Sequence, residues 1–399
     1  MIDKEIIESL NKIYKESEDE HSIYTPLSLC RDMLSSISTF DDKNILVISN
    51  LEFLIVLKQM GINMDNVHYT VNCELKRNVA INLGIDENKI YNLEYKSKEV
   101  NLNTEMKFDV IAMNPPYNPN TLWKKFVEKA IDQLEDDGQM VAIHPDIWRR
   151  SSTHKTFREK IKNGASELHL TEFNSFPGVN VSTDWYLYNK NGTSDIKIYY
   201  PDNIVNIYKN DELSHILPFS KNSIENNIIE KITLKNYDNG LFLVKGWEKY
   251  ILEDGTKIDL YNSHNPDGKY KQCGGKKNNT GWTIGNFTKI DYPSKYQYVD
   301  KIVMSHTRKL RAQYFSKDDN VGVLVGYILL TSNKNITTLF NSKMLWKIMC
   351  GIVGEKNMNN LPSFFMKTLN IENFNCSNEQ EMYKHYNLTE EEITWIENN

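Results

Sequence analysis

Phe108-Asp-Val-Ile-Ala-Met-Asn-Pro-Pro-Tyr117 is the stretch from which the rest of the chain can be read. Phe108 to Met113 is a short β-rich apolar run, the pattern of a buried strand. Asn114-Pro115-Pro116-Tyr117 follows as a rigid polar turn at its carboxyl end, which is where open α/β sheets place their chemistry. Two consecutive prolines fix φ and remove two N–H donors, so the carbonyls of the turn are left to face a ligand. An amide, a stiff carbonyl and an aromatic ring thus fall within four residues. That set suits a planar heterocycle with an exocyclic amine. The Asn114 side-chain oxygen and the Pro115 carbonyl can accept its two N–H groups while Tyr117 stacks on the ring.

Composition bounds the rest. A chain of 399 residues is long for one domain and comfortable for two. Its 40% hydrophobic and 25% charged residues are those of a globular protein. No apolar run approaches the ~20 residues needed to span a bilayer. The amino terminus, Met-Ile-Asp-Lys-Glu-Ile-Ile-Glu, is charged rather than signal-like, so no membrane partner and a cytoplasmic location are expected. Five scattered cysteines, never in Cys-x-x-Cys spacing, indicate neither a disulfide framework nor a metal site. The formal net charge of −6 argues against a uniformly basic nucleic-acid binder and leaves room for a local basic face.

Upstream of the motif, Ile2, Ile6, Ile7, Leu10, Ile13 and Tyr14 predict a leading helix over residues 1–17. Tyr24-Thr25-Pro26 then precedes an amphipathic stretch, Leu27 to Leu34. Pro26 in the first helical turn with Thr25 as N-cap accounts for that local chemistry. Asn44 to Ser49 reads as the first sheet strand, and its continuation from Asn50 holds no glycine until Gly61. Val67 to Glu74 reads as a second strand ending in a carboxylate, and a glutamate there can accept both ribose hydroxyls of an adenosine. Ile90 to Glu94 is a third. Leu122 to Leu134 is an amphipathic helix, with Asp137-Gly138 as its stop. Gln139 to Pro145 is a further strand. Strands alternating with helices through residue 150 predict a doubly wound sheet.

Asn-Pro-Pro-Tyr after an apolar strand resembles the catalytic motif of S-adenosylmethionine-dependent amino-methyltransferases, above all the N6-adenine DNA methyltransferases of restriction-modification systems. The resemblance implies a Rossmann-like methyltransferase domain over residues 1–195. It also implies a mixed α+β target-recognition domain over 196–399, with S-adenosylmethionine as cofactor, double-stranded DNA as partner and a cognate restriction endonuclease as a further one. Cofactor motif first, catalytic motif next and recognition region last is the γ arrangement. Asn114, Pro115, Pro116 and Tyr117 would carry catalysis by gripping the amine of a flipped adenine. Tyr24, Thr25 and Pro26 would flank the methionine end of the cofactor. Ser49 and Asn50 stand where the family has a glycine-rich turn, and this glycine-free version departs from the pattern. Glu74 would take the ribose, while Asn92 or Glu94 would flank the adenine and Asn114 would also reach the cofactor. Phe176, in the Phe176-Pro-Gly-Val179 turn, would cover the opposite face of the base from Tyr117.

Beyond about residue 195 the βα rhythm stops, and a domain boundary is expected there. Leu241 to Lys317 holds 14 Lys and Arg against 7 Asp and Glu, with 12 aromatics interleaved. The stretch from Asn370 has 7 acidic residues against one lysine and reads as an acidic tail. A basic, aromatic-rich region in an otherwise acidic chain is what a duplex-embracing module would show. Lys276, Lys277, Arg308, Lys309 and Arg311 are its candidate phosphate contacts. Three rivals share the motif logic: a cytosine-N4 methyltransferase, which usually has Ser in place of Asn114; an RNA or protein amino-methyltransferase; and an inert DNA-binding relative that has lost its cofactor.

Overall fold

The computed structural model describes residues 24–398 apart from 97–98, 118–121, 150–153, 172–181, 210–219, 235–236, 246–248, 261–264, 266, 274–286, 305–311 and 354–362. The expected leading helix therefore lies outside the described residues, as do Phe176, Lys276, Lys277, Arg308, Lys309 and Arg311. The chain forms two compact units, Met1–Lys221 and Asn222–Asn399. Among the described residues no helix is long and apolar enough to cross a membrane, and no group of histidine, cysteine or acidic side chains could hold a metal ion.

The first unit is a Rossmann-like α/β domain built on one nine-stranded sheet. In chain order it contains α1 (Leu27–Ser35), β1 (Ile45–Ile48), α2 (Leu51–Gln59), β2 (Val67–Val71), α3 (Glu74–Asn82) and β3 (Ile90–Asn92). A small hairpin, β4 (Glu94–Lys96) and β5 (Glu99–Asn101), leads to β6 (Phe108–Met113), α4 (Leu122–Asp132) and β7 (Leu134–Pro145). A 3-10 turn (Asp146–Arg149), α5 (Lys155–Gly164), β8 (Ala165–Leu170), β9 (Thr183–Asn189), β10 (Asp195–Tyr199) and β11 (Val205–Lys209) complete it. The strand order is β11-β10-β8-β9-β7-β6-β1-β2-β3. The five strands from β3 to β7 are all parallel, so they need both faces covered.

Period-two alternation meets that need. Ile45 and Val47 point into one core with α1 and α2, while Leu46 and Ile48 point into the other with α4. The same alternation splits Val110 and Ala112 from Ile111 and Met113 on β6. α4 docks through Leu122, Trp123, Phe126, Val127, Ala130 and Ile131, all buried. Burial of each large side chain is worth about 2 kcal/mol, so this stripe fixes the helix on the sheet.

Three expectations shift. α4 ends at Asp132 and β7 already begins at Leu134, with an irregular register opposite Phe108 and Val110. Gly138 is therefore a glycine for closeness, not a helix stop: a Cβ there would lie 2.9 Å from the Glu135 carbonyl oxygen and 3.0 Å from that of Phe108. The boundary expected at 195 falls inside the first unit, because β10 and β11 extend the sheet by pairing parallel to β8 and antiparallel to each other. The βα rhythm misses β10, whose buried Ile196 and Ile198 alternate cleanly but which follows β9 without a helix, and periodicity misses β11, an edge strand with exposed Val205 and Ile207. Pro26, rather than Thr25, is the N-cap of α1, and the helix has no side-chain cap.

The second unit opens with α6 (Ser223–Ile232). It carries a four-stranded sheet in which β12 (Phe242–Lys245), β20 (Val325–Leu330), β17 (Lys301–Met304) and β18 (Ala312–Phe315) run in that spatial order. β16 (Phe287–Ile290), β15 (Tyr270–Cys273) and β19 (Val321–Val323) form a second small sheet, and β13 (Lys249–Ile251) pairs with β14 (Lys257–Asp259). Among the described residues five helices follow: α7 (Ile336–Phe340), α8 (Lys343–Val353), α9 (Ser363–Thr368), α10 (Glu379–His385) and α11 (Glu390–Asn398). The acidic end is thus folded rather than a tail. Glu392 pairs with Lys231 at 2.7 Å, the Tyr383 hydroxyl donates to Glu397 at 2.8 Å, and Lys347 lies 3.7 Å over the Trp395 ring.

Candidate active site

β1 and β6 are neighbours in the sheet, with Ile48 opposite Met113, so the two chains leave the sheet side by side. After Met113 the chain enters Asn114-Pro115-Pro116-Tyr117, and all four residues are buried. Pro115 and Pro116 have no N–H, which leaves the Asn114 amide as the corner's last backbone donor before Tyr117. It donates to Asn50 Oδ1 at 2.7 Å. The Asn114 side chain donates through Nδ2 to Thr25 Oγ1 at 2.9 Å. With those two bonds made, Asn114 Oδ1 is a buried acceptor without a partner among the described residues. Such an atom costs free energy unless something donates to it.

Tyr117 is 8% exposed. Its hydroxyl lies next to the Asn114 amide and meets no partner at hydrogen-bond geometry among the described residues. Burial raises the phenol far above its ordinary range, with the Asn114 side chain opposing, so Tyr117 is a neutral ring and not a base. Asn114 Oδ1 and the Tyr117 hydroxyl are thus two buried polar atoms at this corner without a partner among the described residues.

The exit of β1 does what the missing glycines would do, with other residues. Ser49 takes a left-handed backbone, φ 64°, while its N–H continues the ladder to the Thr70 carbonyl at 2.9 Å. The chain then enters α2 at once. Asn50 occupies the N-cap position without capping, because its side-chain oxygen is taken by Asn114. Glu52, in the first turn, is fully buried, and its Oε1 lies 3.4 Å from the Thr25 amide. Burial raises the Tyr24 phenol and the Cys30 thiol, and the Glu52 carboxylate adds to both shifts.

The second and third exits differ from expectation. β2 ends at Val71, and Glu74 sits in the first turn of α3 with its side chain 75% exposed. Arg77 lies between the two residues expected to flank an adenosine. Its Nε is 3.7 Å from Glu74 and its Nη2 donates to Asn92 Oδ1 at 2.7 Å. Glu94 is exposed in the β4–β5 hairpin rather than at the end of β3. The structure therefore gathers Asn114, Tyr117, Thr25, Asn50 and Ser49, joins Glu74 to Asn92 through Arg77, and leaves Glu94 apart.

Two residues in this region carry no sequence signal. Glu52 reads as an ordinary first-turn helix glutamate, and Thr70 as a β-branched strand residue. Thr70 is fully buried near the end of β2, and its hydroxyl has no partner among the described residues.

Residues 40–181 match the model of the Eco57I restriction-modification methylase family. That span takes in β1 and Asn114–Tyr117 and ends just short of β9, and over it the chain is similar to that family, as the motifs imply. No curated protein matches the chain. Among solved structures, the type I restriction-modification methyltransferase subunit from Streptococcus thermophilus is 16% identical, over 44% of this chain and 47% of that one, with a TM-score of 0.35. The EcoKI M protein is 14% identical over 51% and 53%, with a TM-score of 0.39. The type IIG restriction endonuclease BpuSI is 13% identical over 96% of this chain and 63% of its own, with a TM-score of 0.48. The match spans about half the length of each of the two methyltransferase subunits.

Proposed function

We propose that the protein is a DNA methyltransferase that moves a methyl group from S-adenosylmethionine to the N6 amine of an adenine turned out of the duplex. One observation carries this reading: Asn114 Oδ1, buried and without a partner among the described residues, belongs to an amide held by Asn50 and Thr25 so that an acceptor faces the corner. An adenine amine is a poor nucleophile because its lone pair is delocalised into the ring. Acceptance of its N–H groups by Asn114 Oδ1 and the Pro115 carbonyl returns electron density to nitrogen and fixes its direction. Tyr117 supplies the aromatic face, and its neutral phenol takes no proton.

The residues fit the cofactor. Its methionine end is a zwitterion, and the β1 exit offers both complements: the first-turn amides of α2, which no side chain caps, and the buried Glu52 carboxylate. Ser49 in its left-handed conformation lets the backbone pass close without glycine. Thr70 adds a hydroxyl near the end of β2 that has no partner among the described residues. When bound, the cofactor supplies an electrophilic methyl; everything else is done by positioning. The second unit, with its run of 14 basic against 7 acidic residues between Leu241 and Lys317, is assigned to DNA, and a cognate restriction endonuclease is the further partner such an enzyme serves.

Transfer of labelled methyl to duplex DNA, with RNA and protein as controls, tests the reading. Asn114→Ala should lose about 100-fold or more in turnover, the scale of removing one preorganised hydrogen-bonding group, while calorimetry shows S-adenosylmethionine still bound. Failure of the wild-type protein to bind the cofactor, alone and with DNA, would favour the inert DNA-binding relative.

A further inference from the structure

An asparagine amide has two ends of nearly equal shape and opposite chemistry. Which end faces the corner depends on what holds the other. Thr25 Oγ1 lies 2.9 Å from Asn114 Nδ2, and Thr25 is fully buried. We propose that Thr25 is a positioning residue of the methyl-transfer reaction: its hydroxyl anchors the amino end of Asn114 and thereby presents the oxygen to the target amine. The inference rests on the function proposed above and gives Thr25 a role different from lining the cofactor.

The surroundings of Thr25 explain why it can act as an anchor. Its N–H points to Glu52 Oε1 at 3.4 Å and its carbonyl is 3.9 Å from the Cys30 thiol. These contacts tie it to the first turn of α2 and to α1, two helices packed on the same sheet face. The Asn114 backbone is fixed independently by Asn50. With the backbone held on one side and Nδ2 on the other, the amide has one residual freedom, exchange of its ends by rotation. In the exchanged form two amide N–H groups would face the corner, buried and opposed to the N–H groups of an incoming amine. Orphaned buried N–H groups are rarer and costlier than under-used carbonyl oxygens. The observed form leaves an acceptor instead, which a substrate amine satisfies.

Thr25→Val removes the hydroxyl and keeps the shape; Thr25→Ser keeps the hydroxyl. For the valine variant, kcat on duplex DNA at saturating S-adenosylmethionine should fall about tenfold or more, the scale of one lost hydrogen bond. Cofactor Kd and KM for DNA should change little, and the serine variant should restore kcat. The Asn114 side-chain amide resonance in 15N-labelled protein should move in Thr25→Val and not in Thr25→Ser, a readout that needs no turnover. Weaker cofactor binding in Thr25→Val with kcat unchanged would overturn the proposal in favour of a cofactor-lining role. An unmoved amide resonance, or a serine variant as impaired as the valine one, would overturn it as well. A wild-type protein that transfers no methyl but shows the expected amide shift would count against the parent reading and leave the anchor intact. If Thr25→Val fails to fold, the same comparison is made with Thr25→Ala.

Discussion

β1 and β6 lie side by side and parallel, and both turn at the same edge of the sheet, yet their exits are opposites. The β1 exit spends one left-handed residue, Ser49, to drop straight into α2. The β6 exit spends two prolines to stay out of a helix, so its polar groups are not absorbed by secondary structure. One exit is thus a scaffold and the other a site. They are joined by a single side chain, because Asn50 gives to the Asn114 amide the oxygen that would otherwise cap α2. A residue at the start of a helix has been diverted from the helix to hold the neighbouring corner.

The largest effect should come from cutting that joint. Asn50→Ala strands the buried Asn114 N–H, and an unsatisfied buried donor costs about 1 to 3 kcal/mol. We expect the unfolding free energy from urea titration to fall by the upper part of that range, and methyl transfer to fall with it because the corner loses its backbone anchor. Asn50→Asp keeps an acceptor and should recover most of the stability. If Asn50→Ala left stability unchanged, the two exits would be independent and the contrast between scaffold and site would lose its link.

β7, on the other side of β6, provides a third exit and a smaller, pH-dependent effect. His144 is fully buried, stacked 4.4 Å from Trp123, with Nε2 3.1 Å from the Tyr186 hydroxyl. Burial pulls its pKa down to about 3, with the carbonyl of Pro145 and the charge of Asp146 opposing. The unfolded chain, with an ordinary histidine near 6.5, therefore takes up a proton first as pH falls. Stability should be complete above about pH 6.5 and decline by about 1.4 kcal/mol per pH unit below it, until the folded-state value near 3 is reached. At pH 5 that is about 2 kcal/mol. His144→Phe should keep the stacking and flatten this slope, measured by urea unfolding at pH 7 and pH 5. An unchanged slope would place the acid sensitivity elsewhere, with His68 and His154, both lowered to about 4 by burial, the next to test.

How much of this was legible follows from where the physical signal lies. β6 and its corner could be read directly, since an apolar run closed by Pro-Pro has few alternatives, and the glycine-free β1 exit was visible as a departure. What the departure meant was not: left-handed backbone at a serine leaves no mark in sequence, and the bond from Asn50 to Asn114 spans 64 residues. Apolar alternation continuing past Val71 sets Glu74 at a strand end in the sequence, whereas in the fold the strand stops at Val71 and Glu74 begins the helix. β10 alternates cleanly, with Ile196 and Ile198 buried, but it follows β9 with no helix between, so the βα rhythm stops before the sheet does; β11, at the edge, exposes the residues that periodicity expects to find buried.

Ser49 gives the smallest effect and tests the contrast most narrowly. A non-glycine residue at φ 64° bears a steric cost of about 1 kcal/mol, partly offset because glycine loses more freedom on folding. Ser49→Gly should therefore be neutral to stabilising, by less than about 1 kcal/mol, while Ser49→Val should destabilise by more than that, since a β-branched side chain suits this conformation least. Both are measured as shifts in the urea midpoint. The ordering matters more than the size. Glycine at or above serine, with valine well below, means the β1 exit is governed by backbone geometry alone. Glycine below serine would mean that the 6% exposed Ser49 side chain carries a contact of its own, and the β1 exit would then be a second site rather than the scaffold for the first.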